Sequence, residues 1–295
     1  MQLFYHRFPG GVSNFGDSLN EWLWPRVLPG VFDSAASSAF IGFGTLLNSR
    51  LRQELPFAKM LAIFSTGAGY HHPIDNLWPN DHIYCVRGPL TAAALGLPNT
   101  AAITDGALLI RGFARPNANR SHRFAFMPHI EKYASEAWPE VCAELGFGYV
   151  DPTWSIEQVI DAIGDSEVLI TEAMHGAVVA DAMRIPWIAV RSSHRILRFK
   201  WEDWCASIGV AYAPRRIGVL RNRSQTNDML RPVRDARFFL RRMAAFHDLD
   251  NVSRTAKPIL STDRLSAELH DRLLSKAEIF RADVEAGVFL QRYAA

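Results

Sequence analysis

Residues 167–190, EVLITEAMHGAVVADAMRIPWIAV, constrain the fold more than any other stretch of the chain. Val168, Leu169 and Ile170 form a short apolar run of the kind that fills an interior parallel strand, and Ile185 to Val190 form another. Between them Ala177, Val178, Ala180, Ala182 and Met183 are slender enough for a helix to lie close on a sheet. The stretch reads as a β-α-β unit, so the fold class is α/β. Where the first strand gives way to the helix stand Thr171, Glu172, Met174, His175 and Gly176. Polar groups at that edge face a helix N-terminus whose unpaired amides favour an anion. His175, a titratable ring beside a glycine that permits close backbone approach, is the candidate functional residue. A hydrogen-bonded structural histidine is the competing reading.

At 295 residues the chain exceeds one small domain, and a prior of about 150 residues per domain suggests two. A 48% hydrophobic composition supports a substantial core, and a net charge of +2 gives no general pull toward nucleic acid. No uninterrupted apolar run of about 18 residues occurs, and the opening MQLFYHRFPGG lacks the plan of a secretory signal, so a cytoplasmic protein is expected. Cys85, Cys142 and Cys205 are far apart and without CxxC spacing, which argues for reduced packing residues over disulfides or zinc ligands.

Residues 2–5 read as a first strand, and Asn14-Phe15-Gly16-Asp17-Ser18 leads into a helix with Leu19, Trp22, Leu23 and Val27 at helical spacing. Asp17 is a natural helix cap, yet it stands where ligands enter such sheets. Residues 39–47 and 58–69 read as strands that each run into a glycine turn, without a GxGxxG fingerprint. A fourth strand, 82–86, ends at Arg87-Gly88-Pro89, with Pro89 at the start of a helix. Arg87 there suits a bidentate grip on phosphate or carboxylate, with a salt bridge as the alternative. Residues 101–106 read as a last short strand, and the basic, proline-broken stretch 111–122 as a linker.

Beyond the linker the alternation restarts: a strand at 123–127 ending in Pro128-His129, a helix over 131–145, a strand at 147–150 and a helix over 156–163. After Val190 the loop RSSHRILRFKWEDW gathers Arg191, Arg195, Arg198 and Lys200 among aromatics, an anion pocket rather than a nucleic-acid surface. Residues 233–246 and 263–281 read as amphipathic helices with solvated arginines.

Taken together, NFGDSLN, IGFGTLL, VRGPLTAAALG with ITDGALL, PHIEKY and LITEAMHGAVVADAMRIPWIAV resemble the polysaccharide pyruvyl transferase family in family order, over roughly residues 1–205. The resemblance implies a GT-B-like architecture of two facing Rossmann-like domains with parallel sheets: 1–115 on the acceptor side, 116–215 on the donor side, then a helical extension, 216–295. It also implies transfer of the enolpyruvyl group of phosphoenolpyruvate onto two hydroxyls of a sugar, as a pyruvate ketal, without a cofactor or metal. Arg87 matches the family arginine, His175 its histidine, and Lys200 lies near where a lysine follows the last strand. Many members carry arginine-leucine where Ala173-Met174 stand here, so an arginine contact is either missing or supplied by Arg191, Arg195 or Arg198.

On this reading the donor site comprises Arg87, Lys200, Met174, Gly176, Arg191, Arg195 and Arg198, because phosphoenolpyruvate needs cationic clamps for both phosphate and carboxylate. His175 is the acid or the phosphate-binding electrophile, Asp17 the base and Glu172 its competitor, with proton transfer worth about 10²–10⁴ in rate. Asn14, Gly16 and His129 are the acceptor contacts. The acceptor is an oligosaccharide or lipid-linked glycan, so peripheral association with the inner membrane face, through the arginine-rich tail, is open to such a protein. Trp22, Trp24, Trp78 and Trp154 are sugar-stacking candidates, with core packing the alternative. A nucleotide-sugar glycosyltransferase and a non-catalytic accessory protein of polysaccharide assembly are the rival readings.

Overall fold

The structure, a computed structural model, describes residues 1–7, 11, 13–34, 37–72, 77–130, 137–220 and 231–290. Residues 131–136 of the expected helix 131–145, and 221–230 and 291–295 of the expected extension, lie outside these. The chain divides into two compact units: unit 1 holds Met1–Phe113, Leu197–Tyr212 and Ser261–Ala295, and unit 2 holds Ala114–Ile196 and Ala213–Leu260.

Unit 1 carries a four-stranded parallel sheet of β1 (Gln2–Phe4), β2 (Ser38–Ile41), β3 (Met60–Phe64) and β4 (His82–Cys85), side by side in that order. Its helices are α1 (Phe15–Val27), α2 (Leu51–Glu54) and α3 (Pro89–Ala94). Alternation along the strands feeds two cores. Ala39, Ile41, Leu61 and Ile63 join Leu47, Leu51 and Val86 on one face. Phe40 and Phe64 pack on the other against Trp24 of α1, at centroid distances of 4.8 and 5.1 Å. Burial on both faces is what a parallel sheet requires. The strand expected at 101–106 is reduced to one bridge, Val86 to Ala102, because Asp105 accepts from the Ala107 amide and starts a 3-10 turn instead.

Unit 2 carries a five-stranded parallel sheet of β5 (His122–Met127), β6 (Gly148–Tyr149), β7 (Ser166–Thr171), β8 (Trp187–Arg191) and β9 (Arg215–Arg216), in the spatial order β6-β5-β7-β8-β9. Its first helices are α4 (Trp138–Leu145), α5 (Ile156–Gly164), which has a full Ser155/Gln158 capping box, and α6 (Met174–Ala182). The expected β-α-β unit is thus β7-α6-β8, with α6 buried along nearly its whole length.

The C-terminal third is divided between the units. Residues 198–204 of the expected loop fall instead in α7 (Arg198–Ser207), in unit 1. The two expected tail helices are α8 (Arg231–Thr255), in unit 2, and α9 (Asp263–Glu285), in unit 1. They do not make a separate extension, because each completes a sheet's cover. Ala245, Leu249 and Val252 of α8 enter the core with Phe126, Ile170 and Ile188. Phe280 of α9 packs on Phe40 at 5.0 Å and on Tyr84 at 5.2 Å. No described helix is long and apolar enough to cross a membrane.

Candidate active site

Within unit 2 the strands run 2-1-3-4-5 by order of appearance, so the connections leave β5 and β7 in opposite directions across the sheet. In such sheets ligands bind outside the carboxyl ends of the two strands where the order reverses. Met127 and Thr171 are paired at those ends. The side chains expected to be functional follow directly: His129 after β5, and Glu172, Met174, His175 and Gly176 after β7.

Glu172 braces this edge. Its amide donates to the Met127 carbonyl at 3.0 Å, while its carboxylate accepts the Ser192 amide at 2.5 Å and the His129 amide at 3.4 Å. One buried carboxylate thereby ties together the loops that follow β5, β7 and β8, and both of its oxygens are engaged by backbone N–H groups. Charge-assisted bonds of this kind are the stronger class. The carboxylate expected as the competing base is thus held in place by two backbone donors.

Helix α6 opens at Met174, with Ala173 at its N-cap and no side-chain cap on its first-turn amides. Thr171 Oγ1 accepts the Ala173 amide at 2.9 Å and donates to the Met127 carbonyl at 3.1 Å, fixing the turn. Gly176 is required by proximity: a Cβ there would lie 2.6 Å from Met127 Sδ and 3.1 Å from Thr171 Oγ1. The helix start is held tightly against β5 and β7, and His175 stands half-buried on that first turn. Arg191 ends β8, half-buried, and Arg195 is exposed a few residues on.

The edge of the unit 1 sheet is organised around Arg87, but not as an open clamp. Its side chain is wholly buried. Nε donates to Asp203 Oδ2 at 2.9 Å, one terminal nitrogen to the Gly44 carbonyl and Thr45 Oγ1, and the other to the Ala68 carbonyl. Asp203, on α7, accepts in turn from the Thr91 amide at 2.9 Å and the Thr91 hydroxyl at 2.6 Å. Gly67 and Gly88 leave the room for this pair, since a Cβ on either would overlap the Arg87 guanidinium or Asp203. Arg87 knots together the turns after β2, β3 and β4 and fastens α7 beneath them. The salt-bridge alternative describes it, and the donor-clamp expectation does not.

Asp17 sits in the first turn of α1, half-buried, and accepts from Asn14 Nδ2 at 2.6 Å, with Gly16 buried beside it. Asn20, buried one turn on, donates to the carbonyls of Asp17 and Phe43 and accepts from Trp24 Nε1. Arg198 pairs with Glu202 at 2.6 Å along α7, and Lys200 is half-buried on the same helix. The expected cations thus fall on two units: His175, Arg191 and Arg195 on unit 2, and Arg87, Arg198 and Lys200 on unit 1. Of the tryptophans, Trp24 is core, Trp22 and Trp78 lie under the guanidinium groups of Arg26 and Arg52, and Trp154 is exposed beside Tyr149.

The roles of Thr45, Thr91 and Asp203 escape sequence reasoning. Asp203 left one trace, an acid set between Trp201 and Trp204 where all three are buried. Among the described residues no group of three or more His, Cys, Asp or Glu could hold a metal ion.

Two α/β units, each built on a parallel sheet of Rossmann-like type, with a braced, histidine-bearing strand edge in the second, define the class. The chain belongs to the polysaccharide pyruvyl transferase family, whose model matches residues 36–194. It is 41% identical over 209 residues to the succinoglycan biosynthesis protein ExoV of Rhizobium meliloti (strain 1021), a match covering 70% of this chain and 65% of that protein's length. A solved structure of the glycotransferase of kitacinnamycin covers 94% of this chain and 81% of its own at 11% identity, with a TM-score of 0.37.

Proposed function

We propose that the protein is a pyruvyl transferase of exopolysaccharide biosynthesis, which moves the enolpyruvyl group of phosphoenolpyruvate onto a sugar of the polysaccharide or its lipid-linked precursor. The observation that carries this reading is the coincidence, inside the family-matched residues, of His175 and the uncapped start of α6 at the strand-order reversal of unit 2. Helix-start amides suit the phosphate or carboxylate of the donor. Arg191 and Arg195 add cations on the same unit, and Lys200 and Arg198 keep the donor assignment on unit 1.

The chemistry closes as follows. One sugar hydroxyl adds to C2 of the enolpyruvyl group while a proton is delivered to the C3 methylene, which becomes a methyl. The phosphate leaves C2 with the electrons of the C–O bond, and the second hydroxyl takes its place, its proton ending on phosphate. One ketal and one inorganic phosphate result. His175 is assigned the proton delivery or the phosphate contact, and Glu172 holds the loops around it. Asn14, Gly16, Asp17 and His129 keep the acceptor assignment, with Asp17 as base for the hydroxyl.

The test is incubation of the purified protein with phosphoenolpyruvate and candidate oligosaccharides or lipid-linked glycans. Phosphate release matched by addition of one pyruvyl group to the glycan is expected, and His175→Ala is expected to abolish turnover while donor binding persists. Turnover of a nucleotide sugar in place of phosphoenolpyruvate would overturn the reading in favour of a glycosyltransferase. Inactivity of the wild type toward every donor would favour an accessory protein.

A further inference from the structure

The amino-terminal half of α8 presents a face that the fold of unit 2 does not use. Ala245, Leu249 and Val252, in its carboxyl-terminal half, face the core. On the opposite side Val233, Ala236, Leu240 and Ala244 recur at i, i+3, i+7 and i+11, which places them on one stripe. All four are exposed, Val233 at 55% and Leu240 at 66%, and Phe239 beside them is 59% exposed. Burial among the described residues does not account for an aromatic and two branched aliphatic side chains turned outward on consecutive turns of one helix.

The charge around the stripe identifies its partner. Residues 231–242 hold five arginines, Arg231, Arg234, Arg237, Arg241 and Arg242, against one acid, Asp235, for a local charge of +4 (5 − 1). The whole chain is only +2, so the remainder is net −2 (2 − 4). Arg242 is engaged by Glu140 and Glu144, and Arg231 lies 3.9 Å from Asp235. Arg237 and Arg241 are exposed on the flank of the stripe, with no ion pair to a described carboxylate. An apolar stripe edged by arginines matches the boundary of an anionic bilayer, where the side chains of the stripe enter the acyl region and the guanidinium groups reach lipid phosphates. Self-pairing would bring the arginines of one copy toward those of another, a like-charge opposition.

We propose that α8 docks unit 2 onto an anionic membrane surface through Val233, Phe239 and Leu240, with Arg237 and Arg241 as the lipid-phosphate contacts. The occupant is a bilayer rather than a protein, and its chemistry is acidic glycerophospholipid. Docking of this kind requires neither phosphoenolpyruvate nor glycan, so it stands or falls separately from the transferase reading.

The test is co-sedimentation of the full chain with vesicles of phosphatidylcholine alone and of phosphatidylcholine mixed with phosphatidylglycerol. Binding to the mixed vesicles only, weakened as salt rises, is expected. Phe239→Ser combined with Leu240→Ser is expected to reduce partitioning tenfold or more, on the order of the loss of two inserted side chains. Arg237→Gln combined with Arg241→Gln is expected to reduce it roughly 25-fold, about fivefold per arginine. All four positions are exposed, so the thermal unfolding midpoint is expected to stay at the wild-type value, separating loss of docking from loss of fold. Absence of wild-type binding to the mixed vesicles would overturn the proposal, as would binding that both double variants retain. So would a wild-type dimer that ignores vesicles and that Leu240→Ser converts to monomer, which would assign the stripe to a second copy.

Discussion

Arg87 and Asp203, 116 residues apart in the chain, meet at 2.9 Å as an ion pair with both side chains fully buried. The remaining polar atoms of the pair are bonded to Gly44, Thr45, Ala68 and Thr91, so desolvation is compensated throughout. Removing one partner leaves an uncompensated charge. Arg87→Met or Asp203→Leu alone is expected to lose about 3–5 kcal/mol in urea unfolding, and the double variant markedly less than the sum. Additive losses would show that the two side chains do not act as a pair.

Glu172 accepts two backbone amides, so neither an amide nor an alanine can replace it. In Glu172→Gln one oxygen becomes a donor facing an N–H, and in Glu172→Ala both amides lose their partner. Each unpaired amide is expected to cost about 1–3 kcal/mol. Hydrogen exchange at the amides of His129 and Ser192 is the measurement, with acceleration at both expected in Glu172→Ala and at one of them in Glu172→Gln. Unchanged protection at Ser192 in Glu172→Ala would remove the bracing role.

A side chain at Gly176 would force its neighbours at the start of α6 to shift. Gly176→Ala drives a methyl toward Met127 Sδ and Thr171 Oγ1 and is expected to destabilise by about 1–3 kcal/mol. Adding Met127→Ala is expected to recover part of that loss, a non-additivity that thermal unfolding of the four proteins in the cycle would register.

Burial pushes the thiols of Cys85 and Cys142 up to about 12. At neutral pH the thiolate fraction is then about one in 10⁵, and the thiolate is the reactive form. Cys205 is buried as well. Ellman's reagent is expected to find no reactive thiol in the native protein and all three in urea. A native thiol reacting within minutes would contradict the packing around it.

Asp165, just after α5, has its carboxyl held below the ordinary carboxylate value, chiefly by the Ser121 amide and then by the Ser121 hydroxyl. A depressed value means that the stabilisation is present above the unfolded pKa, about 3.9, and is lost as pH falls through the folded one. Asp165→Asn is therefore expected to be less stable than wild type at pH 7. The gap should narrow once the pH drops below about 4. Urea unfolding at both pH values checks the sign.

The legible parts of this fold are the ones encoded locally. The run from Val168 to Val190 alternates apolar strand, small-residue helix and apolar strand within a single window, and it folds as β7-α6-β8. The sequence of α7, RFKWEDWCAS, mixes charge with aromatics and shows no clear apolar stripe, so nothing local marks it as a helix. Its buried Asp203 is held instead by Arg87, a partner far away in sequence. An arginine at a strand end looks the same in sequence whether it faces solvent or turns inward to a distant aspartate, and the overlaps that forbid a side chain at Gly67 and Gly88 exist only in three dimensions. The place of His175 and Glu172 after β7 is legible in the sequence. Only coordinates separate the carboxylate that braces from the ring that stands on the helix.

Because α9 supplies Phe280 to the aromatic face of a sheet whose strands all lie before residue 90, the first core to begin is the last to close. On a translating ribosome, residues 114–260 emerge complete and can mature while Phe40 and Tyr84 still wait for their lid. A chain stopped short of Ser261 would leave that aromatic surface open to chaperones or to aggregation, and a fragment cut after Phe113 would lack both later segments that finish it.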